Sequence, residues 1–268
     1  MQYAAELEAA VAAARKAGEL IMNAYATFTA IPDARADITT DADRASQELI
    51  LQELRRRFPG DALCAEEQTP TLASAPQSGP RLWVIDPIDG TRGFAQKNGE
   101  FSVMIAFVDR GRVSAGVVFE PARERLTRAA RGSGCWRESG SSPGIRCHVS
   151  VTADLATATL TQSRSKPGTT SRQVQAIHPA KVIETHSAGV KMALVAGGEA
   201  DLYVNHYTEF HDWDICAGQI LIEEAGGKVT GLHGEEIHYG SPGAWQRSRL
   251  LASNGVLHAA AIERCNEI

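Results

Sequence analysis

The residues best placed to do chemistry form the run Trp83-Val84-Ile85-Asp86-Pro87-Ile88-Asp89-Gly90-Thr91. An apolar segment delivers one carboxylate at its end and a second in the turn beyond Pro87. Gly90 and Thr91 follow where a helix can begin. Mg²⁺ prefers carboxylate, carbonyl and water oxygens, so Asp86 and Asp89 can face one hard cation or two adjacent ones. The N–H groups at a helix start suit a phosphate. The same residues also read as an ordinary Asp-Pro turn followed by Asp-Gly.

Further acids shift the balance. Ala65-Glu66-Glu67 ends another apolar run, Asp37-Ile38-Thr39-Thr40-Asp41-Ala42-Asp43 stands at the entrance of a helix, and Trp213-Asp214-Ile215-Cys216-Ala217-Gly218 opens one. Each has a structural explanation: Thr40 and Asp43 are spaced as a capping box, and Asp214 would compensate a helix dipole. Both kinds of role can hold together, with Asp43 capping while Asp37 faces the site. His206 and His211, five apart, lack the helix spacing for a shared metal and read as surface-loop residues.

The elements that must position these groups follow from periodicity. Leu7, Val11, Ala14, Gly18, Ile21 and Tyr25 recur at helical spacing across Ala4 to Ala26, and a second helix fits Ala42 to Phe58, stopped by Pro59-Gly60. Strands are expected at Ala62–Ala65, Leu82–Asp86, Ser102–Val108 and Arg112–Phe119, with Asp109-Arg110-Gly111 as a hairpin turn. The stretch Thr69–Pro80 reads as an exposed loop and Gly132–Gly144 as a second Ser/Gly/Pro-rich segment. Arg123, Glu124, Arg125 and Arg128 read as a solvated strand face. Beyond them come strand Ala158–Ser163, a helix near Thr170–Ala176, strand Lys181–Glu184, helix Ala188–Ala196, strand Asp201–Val204 and a helix from about Trp213 to Ala225. That alternation favours mixed α/β layering.

With 268 residues, 43% apolar and 22% charged, the chain has the balance of a soluble globular protein. Its net charge of −5 argues against a nucleic-acid polymer as partner. A small anionic substrate stays open, because bound cations can reverse the local sign. Five scattered cysteines without a CxxC pair point to reduced thiols in a cytosol. Charges at Glu6, Glu8, Arg15, Lys16 and Glu19 interrupt any signal-peptide core, and no run has the roughly 18 apolar residues of a membrane span.

Taken together, the motifs resemble the inositol monophosphatase superfamily, which pairs D-P-[IL]-D-G-T with W-D-x-x-A-G. The matching residues are Asp86-Pro87-Ile88-Asp89-Gly90-Thr91 and Trp213-Asp214-Ile215-Cys216-Ala217-Gly218, with Asp37-x-x-Thr40-x-x-Asp43, Glu66-Glu67 and Glu224-Ala225-Gly226-Gly227 in the family's order. The resemblance spans nearly the whole chain. It implies an α/β layered sandwich (α-β-α-β-α), with an N-terminal α+β half over residues 1–145 and a C-terminal α/β half over 146–268. It implies a phosphomonoesterase in which Glu66, Asp86, Asp89, Asp214 and the Ile88 carbonyl bind two or three Mg²⁺. Gly90 and Thr91 would hold the phosphate, and Asp37, Glu66 and Thr91 would help to activate water. Lithium sensitivity and a monomer or homodimer belong to the same expectation.

Within the superfamily the chain leans toward 3′(2′),5′-bisphosphate nucleotidases. Gly90-Thr91-Arg92-Gly93-Phe94 is similar to their G-T-K-[EG]-F, Lys97 to Val103 to their R-N-G-E-F-x-V, and Ser163-Arg164-Ser165 with Lys191 to their S-R-S and S-S-L-K. Ser163, Lys191, Asn205 and Asp89 are therefore expected at the substrate, with Lys191 on a second phosphate. Lys191 also reads as a solvated lysine on a helix face. Two departures stand out: Asn205 replaces the Arg of nucleotidases or the Glu of inositol enzymes, and His186 replaces a small residue. The alternative substrate is inositol 1-phosphate or a related sugar phosphate, and a silent binding protein on the same fold is the reading from another class.

Overall fold

The computed structural model describes residues 2–35, 37–164 and 168–266. Its helices are α1 (Ala4–Thr27), α2 (Asp41–Arg57), α3 (Pro70–Ala73), α4 (Thr91–Ala95), α5 (Arg172–Ile177), α6 (Ala188–Ala196), α7 (Asp212–Glu224) and α8 (His258–Cys265). Strands β1 (Ala62–Ala65), β2 (Arg81–Asp89), β3 (Ser102–Asp109), β4 (Arg112–Glu120), β5 (Arg125–Ala130), β6 (Cys135–Ser139) and β7 (Ile145–Cys147) form a seven-stranded sheet in chain order. A five-stranded sheet is ordered β12-β14-β10-β8-β9, from β8 (Thr159–Gln162), β9 (Lys181–Glu184), β10 (Leu202–Asn205), β12 (Lys228–Thr230) and β14 (Leu250–Ser253). A two-stranded clasp joins β11 (Phe210–His211) to β13 (Trp245–Gln246).

Burial explains the layering. In β2, Trp83 and Ile85 pack toward α1 and α2, while Leu82 and Val84 enter the cluster shared with α6 and α7. Both faces of that strand are covered, which is why it reads as a continuous apolar run. A third cluster joins Leu160, Leu202, Leu251, Ile177 and Leu257 on the far side of the second sheet, where α5 meets α8. The result is helix, sheet, helix, sheet, helix. The Trp83 indole N–H is satisfied by Asp61 at 3.0 Å, so truncating this wholly buried ring would cost about 3–5 kcal/mol.

The Asp109–Arg112 hairpin closes on Arg110 and Gly111, with φ of 49° and 78°. Two residues of positive φ make the tight turn whose twist matches its strands. Three stretches differ from expectation. Thr69–Pro80 is partly built in: Leu72 is buried in α3 and Thr69 bonds Gln47. The Gly132–Gly144 segment contains β6. The arginines near 125 are ion-paired, Arg125 to Glu120 at 2.6 Å and Arg128 to Glu138 at 3.0 Å, so that face is neutralised and half-buried. No described helix is long and apolar enough to cross a membrane.

Candidate active site

The end of β2 is bent out of register with β3 between Asp86 and Asp89. Pro87 lacks an N–H, and the Asp86 carboxylate accepts the Ile88 N–H at 3.1 Å across it. From α2, the Ser46 hydroxyl donates to the Pro87 carbonyl at 3.2 Å and ties the turn down. Gly90 leads into α4 at φ 86°, where an added Cβ would lie 2.7 Å from the Glu100 carbonyl oxygen. Only glycine fits that close approach.

Asp89 reaches the other half of the molecule. Its carboxylate accepts the N–H groups of Ala188 (3.0 Å) and Gly189 (2.7 Å) at the start of α6, together with the hydroxyls of Ser187 and Ser102. Asp214 arrives from the first turn of α7, accepting the His211 N–H at 2.6 Å. That clasp is fixed in turn by buried Asp212, which accepts from Gly240 and Gln246, and by His211 stacking on Trp213 with centroids 4.3 Å apart. His211 is thus a half-buried support rather than a surface-loop residue. His206 is also half-buried, and its Nε2 has no partner among the described residues.

The acids act on one another. Glu66 is exposed, yet desolvation by the surrounding protein, then the charges of Asp214 and Asp43, push its carboxyl up to about 8. Burial, then Glu66 and Asp89, push Asp86 upward. Asp214 keeps 31% of its side chain open, yet the surrounding protein still drives it up to about 7. Such mutual repulsion is what a bound dication relieves. The donor set of Glu66, Asp86, Asp89, Asp214 and the Ile88 carbonyl is all oxygen, which fits Mg²⁺. Among the described residues, no three acidic, imidazole or thiol groups yet converge in ligating geometry. The acids share a field, and ligation requires carboxylates to turn inward.

One expected residue is replaced by another. Asp37 is 68% exposed and forks onto Arg35 at 2.8 and 2.9 Å, which also lowers its pKa. The inward acid is Asp43, which sequence reading gave only a cap. Its Oδ2 accepts both Thr40 donors, and its Oδ1 lies 2.9 Å from the Thr91 hydroxyl, which is also 2.9 Å from the Ile88 carbonyl. Burial raises the Asp43 pKa. Capping and the Thr91 contact use opposite oxygens of one carboxylate. The Thr40-x-x-Asp43 spacing carried that signal, because a cap at the start of α2 points along the helix toward β2.

Lys191 also differs from expectation. It is 1% exposed, its Nζ donates to the carbonyls of Thr185 (3.1 Å) and His186 (3.2 Å), and it lies over the Tyr203 ring. Burial lowers its pKa to about 8. It is neither a solvated lysine nor a flexible charge at the mouth; it holds the turn that presents Ser187 to Asp89. Ser163 and Asn205 do meet, lining a cavity of about 560 Å³ with Arg92. Ser165 lies outside the described residues.

The chain matches the model of the inositol monophosphatase family over residues 3–268. It is 32% identical to the fructose-1,6-bisphosphatase/inositol-1-monophosphatase of Thermotoga maritima over 258 residues, covering 95% of this chain and 93% of that protein. It is 31% identical to the histidinol-phosphatase of Mycobacterium tuberculosis, covering 97% and 98%. The inositol monophosphatase structure from Anabaena superposes with a TM-score of 0.80 at 28% identity, covering 100% of this chain and 98% of that one. The chain therefore belongs to the inositol monophosphatase family and is a metal-dependent phosphoric monoester hydrolase.

Proposed function

We propose that the protein removes the ribose phosphate of a 3′(2′),5′-bisphosphate nucleotide, converting 3′-phosphoadenosine 5′-phosphate to AMP and phosphate. The observation that carries the hydrolytic part is the Thr91 hydroxyl held between Asp43 and the Ile88 carbonyl. Glu66, Asp86, Asp89, Asp214 and the Ile88 carbonyl would hold two or three Mg²⁺. When bound, these ions supply neutralisation of the acids and Lewis acidity toward the phosphoryl group. The leading turn of α4, at Gly90 and Thr91, cradles the phosphate. Thr91 Oγ1 accepts a proton from the attacking water while passing its own to Asp43, beside Glu66. The water oxygen bonds phosphorus, the ester bond to the ribose breaks, and the released oxygen takes a proton from solvent. Asp43 takes the role first expected of Asp37.

The substrate preference rests on Gly90-Thr91-Arg92-Gly93-Phe94 and Ser163-Arg164, and on Asn205 where a sugar-binding Glu would stand. Inositol 1-phosphate is the second reading, favoured by the name of the Thermotoga relative. Five free cysteines suit a reducing cytosol. The test is phosphate release from 3′-phosphoadenosine 5′-phosphate and inositol 1-phosphate in parallel, at millimolar Mg²⁺ and with chelator. Faster magnesium-dependent release from the nucleotide supports the proposal. Preference for inositol phosphate moves the second reading ahead, and no release from any ester would leave a silent binding protein. Millimolar Li⁺ is expected to slow release.

A further inference from the structure

The cavity at Ser163 and Asn205 has an unusual electrical lining for a chain of net charge −5. It opens at the carboxyl ends of the parallel strands β8 and β10, the side on which open α/β sheets bind ligands. Among the described residues that line it, the charged ones are Arg92, Arg164 and Arg172, and none is acidic. Arg164 is already neutralised by a two-pronged pair with Glu100. The side chains of Arg92 and Arg172 make no hydrogen bond or ion pair among the described residues, and Arg92 Nε is buried without a partner there. A buried guanidinium N–H left unmatched is costly, so its persistence in a binding cavity points to a ligand that supplies the acceptor.

The position matters as much as the charge. Arg92 follows Thr91 directly, so the cavity begins where the reacting phosphate is cradled. Arg172 lines the same cavity from the first position of α5. We infer that this cavity binds a second phosphate on the same small molecule, gripped by Arg92 and Arg172 and not by Lys191. The two planar guanidinium forks suit a tetrahedral oxyanion, and Lys191 has already committed its ammonium to two carbonyls. Tyr207, 69% exposed on the rim, offers an aromatic face for a base. The inference rests on the proposed phosphatase reading and specifies what lies on its leaving-group side.

The test uses Arg172→Ala, whose site is exposed at the start of a short helix and whose loss leaves the catalytic acids untouched. Two measurements are needed. The first is kcat/KM for 3′-phosphoadenosine 5′-phosphate and for adenosine 3′-phosphate, which lacks the 5′ group. The variant should lose roughly ten- to a hundredfold on the bisphosphate and less than about twofold on the monophosphate, with Arg172→Lys recovering part of the loss. Equal losses on both, or a wild type without preference for the bisphosphate, would overturn the inference while leaving the phosphatase reading intact. The second is calorimetric binding of adenosine 5′-phosphate, which needs no turnover. Arg172→Ala and Arg92→Gln should each weaken it about tenfold or more. Unchanged binding in both would overturn the inference even if no ester were hydrolysed.

Discussion

The carboxylate cluster and the arginine-lined cavity meet at Thr91-Arg92 and pose opposite electrostatic problems. In the cluster, like charges are forced together by burial, and only a cation can relieve them. In the cavity, Arg92 and exposed Arg172 have no side-chain partner among the described residues, and the Arg92 Nε is buried, so an anion would complete them. The cluster is assembled from a strand end and helix caps, and backbone N–H groups hold the carboxylates of Asp43, Asp89 and Asp214. The cavity is assembled from α4, α5 and the ends of β8 and β10, where Arg164 forks onto Glu100 and Ser171 bonds Gln162.

The comparison breaks most visibly at Asp89. Asp89→Asn should lower kcat by roughly a thousandfold or more for every ester while the far-ultraviolet circular dichroism stays native. Undiminished turnover would remove Asp89 from the mechanism. Thr91→Ala and Asp43→Asn should each cost about 10²–10⁴ in kcat, as a lost proton relay does. Asp37→Asn should leave kcat within about twofold, since its carboxylate serves a surface pair. If Asp37→Asn costs as much as Asp43→Asn, the reassignment of that role is wrong.

Lys191 sharpens the boundary between the two regions. Lys191→Met should depress mono- and bisphosphate hydrolysis equally and lower the melting temperature by several degrees. Two carbonyls lose their donor, at about 1–3 kcal/mol. A loss confined to the bisphosphate would return Lys191 to the second phosphate.

The contrast also governs what could be read from sequence. The cluster was legible because its acids sit in short motifs with fixed spacing, and helices such as α6 followed from periodicity to the residue. Asp37 was expected to face the site and Asp43 to cap, because two acids six apart before a helix differ only in which way the chain turns. The cavity was legible only in part: Ser163 and Asn205 were expected at the substrate and Arg92 stands in the Gly90–Phe94 motif, but Arg172 is distant in sequence and sits in no motif that marks a pocket. Lys191 looked like a solvated charge because burial is invisible in a helix whose neighbours on every side are apolar. Strands β5 to β7 were obscured by paired arginines and a Ser/Gly-rich segment, and β12 and β14 are only three and four residues long.

A smaller effect is expected from pH. The surrounding protein pushes Glu66 and Asp214 up to about 8 and 7, above their unfolded values, and solvent at exposed Glu66 and part-open Asp214 screens some of that push. Below about pH 4 both states are protonated and no penalty exists; as pH rises toward 8 the unfolded chain ionises first, so stability falls. Without metal, the melting temperature should therefore decline between about pH 5 and 8, with Asp43 and Asp86, also raised, adding to these two groups. Glu66→Gln should flatten that decline, and an unchanged slope would show that the acids do not repel as argued.

The most direct test of the cation-dependent cluster is a Mg²⁺ titration followed by thermal melting at pH 8, with wild type beside Asp86→Asn. Wild type should gain several degrees at millimolar Mg²⁺, because the ion binds the native state alone. Asp86→Asn should melt higher than wild type without metal, since one repelling charge is gone, and should gain much less on addition. Equal gains in both proteins, or none in wild type, would contradict the claim that these buried acids are held together for a cation.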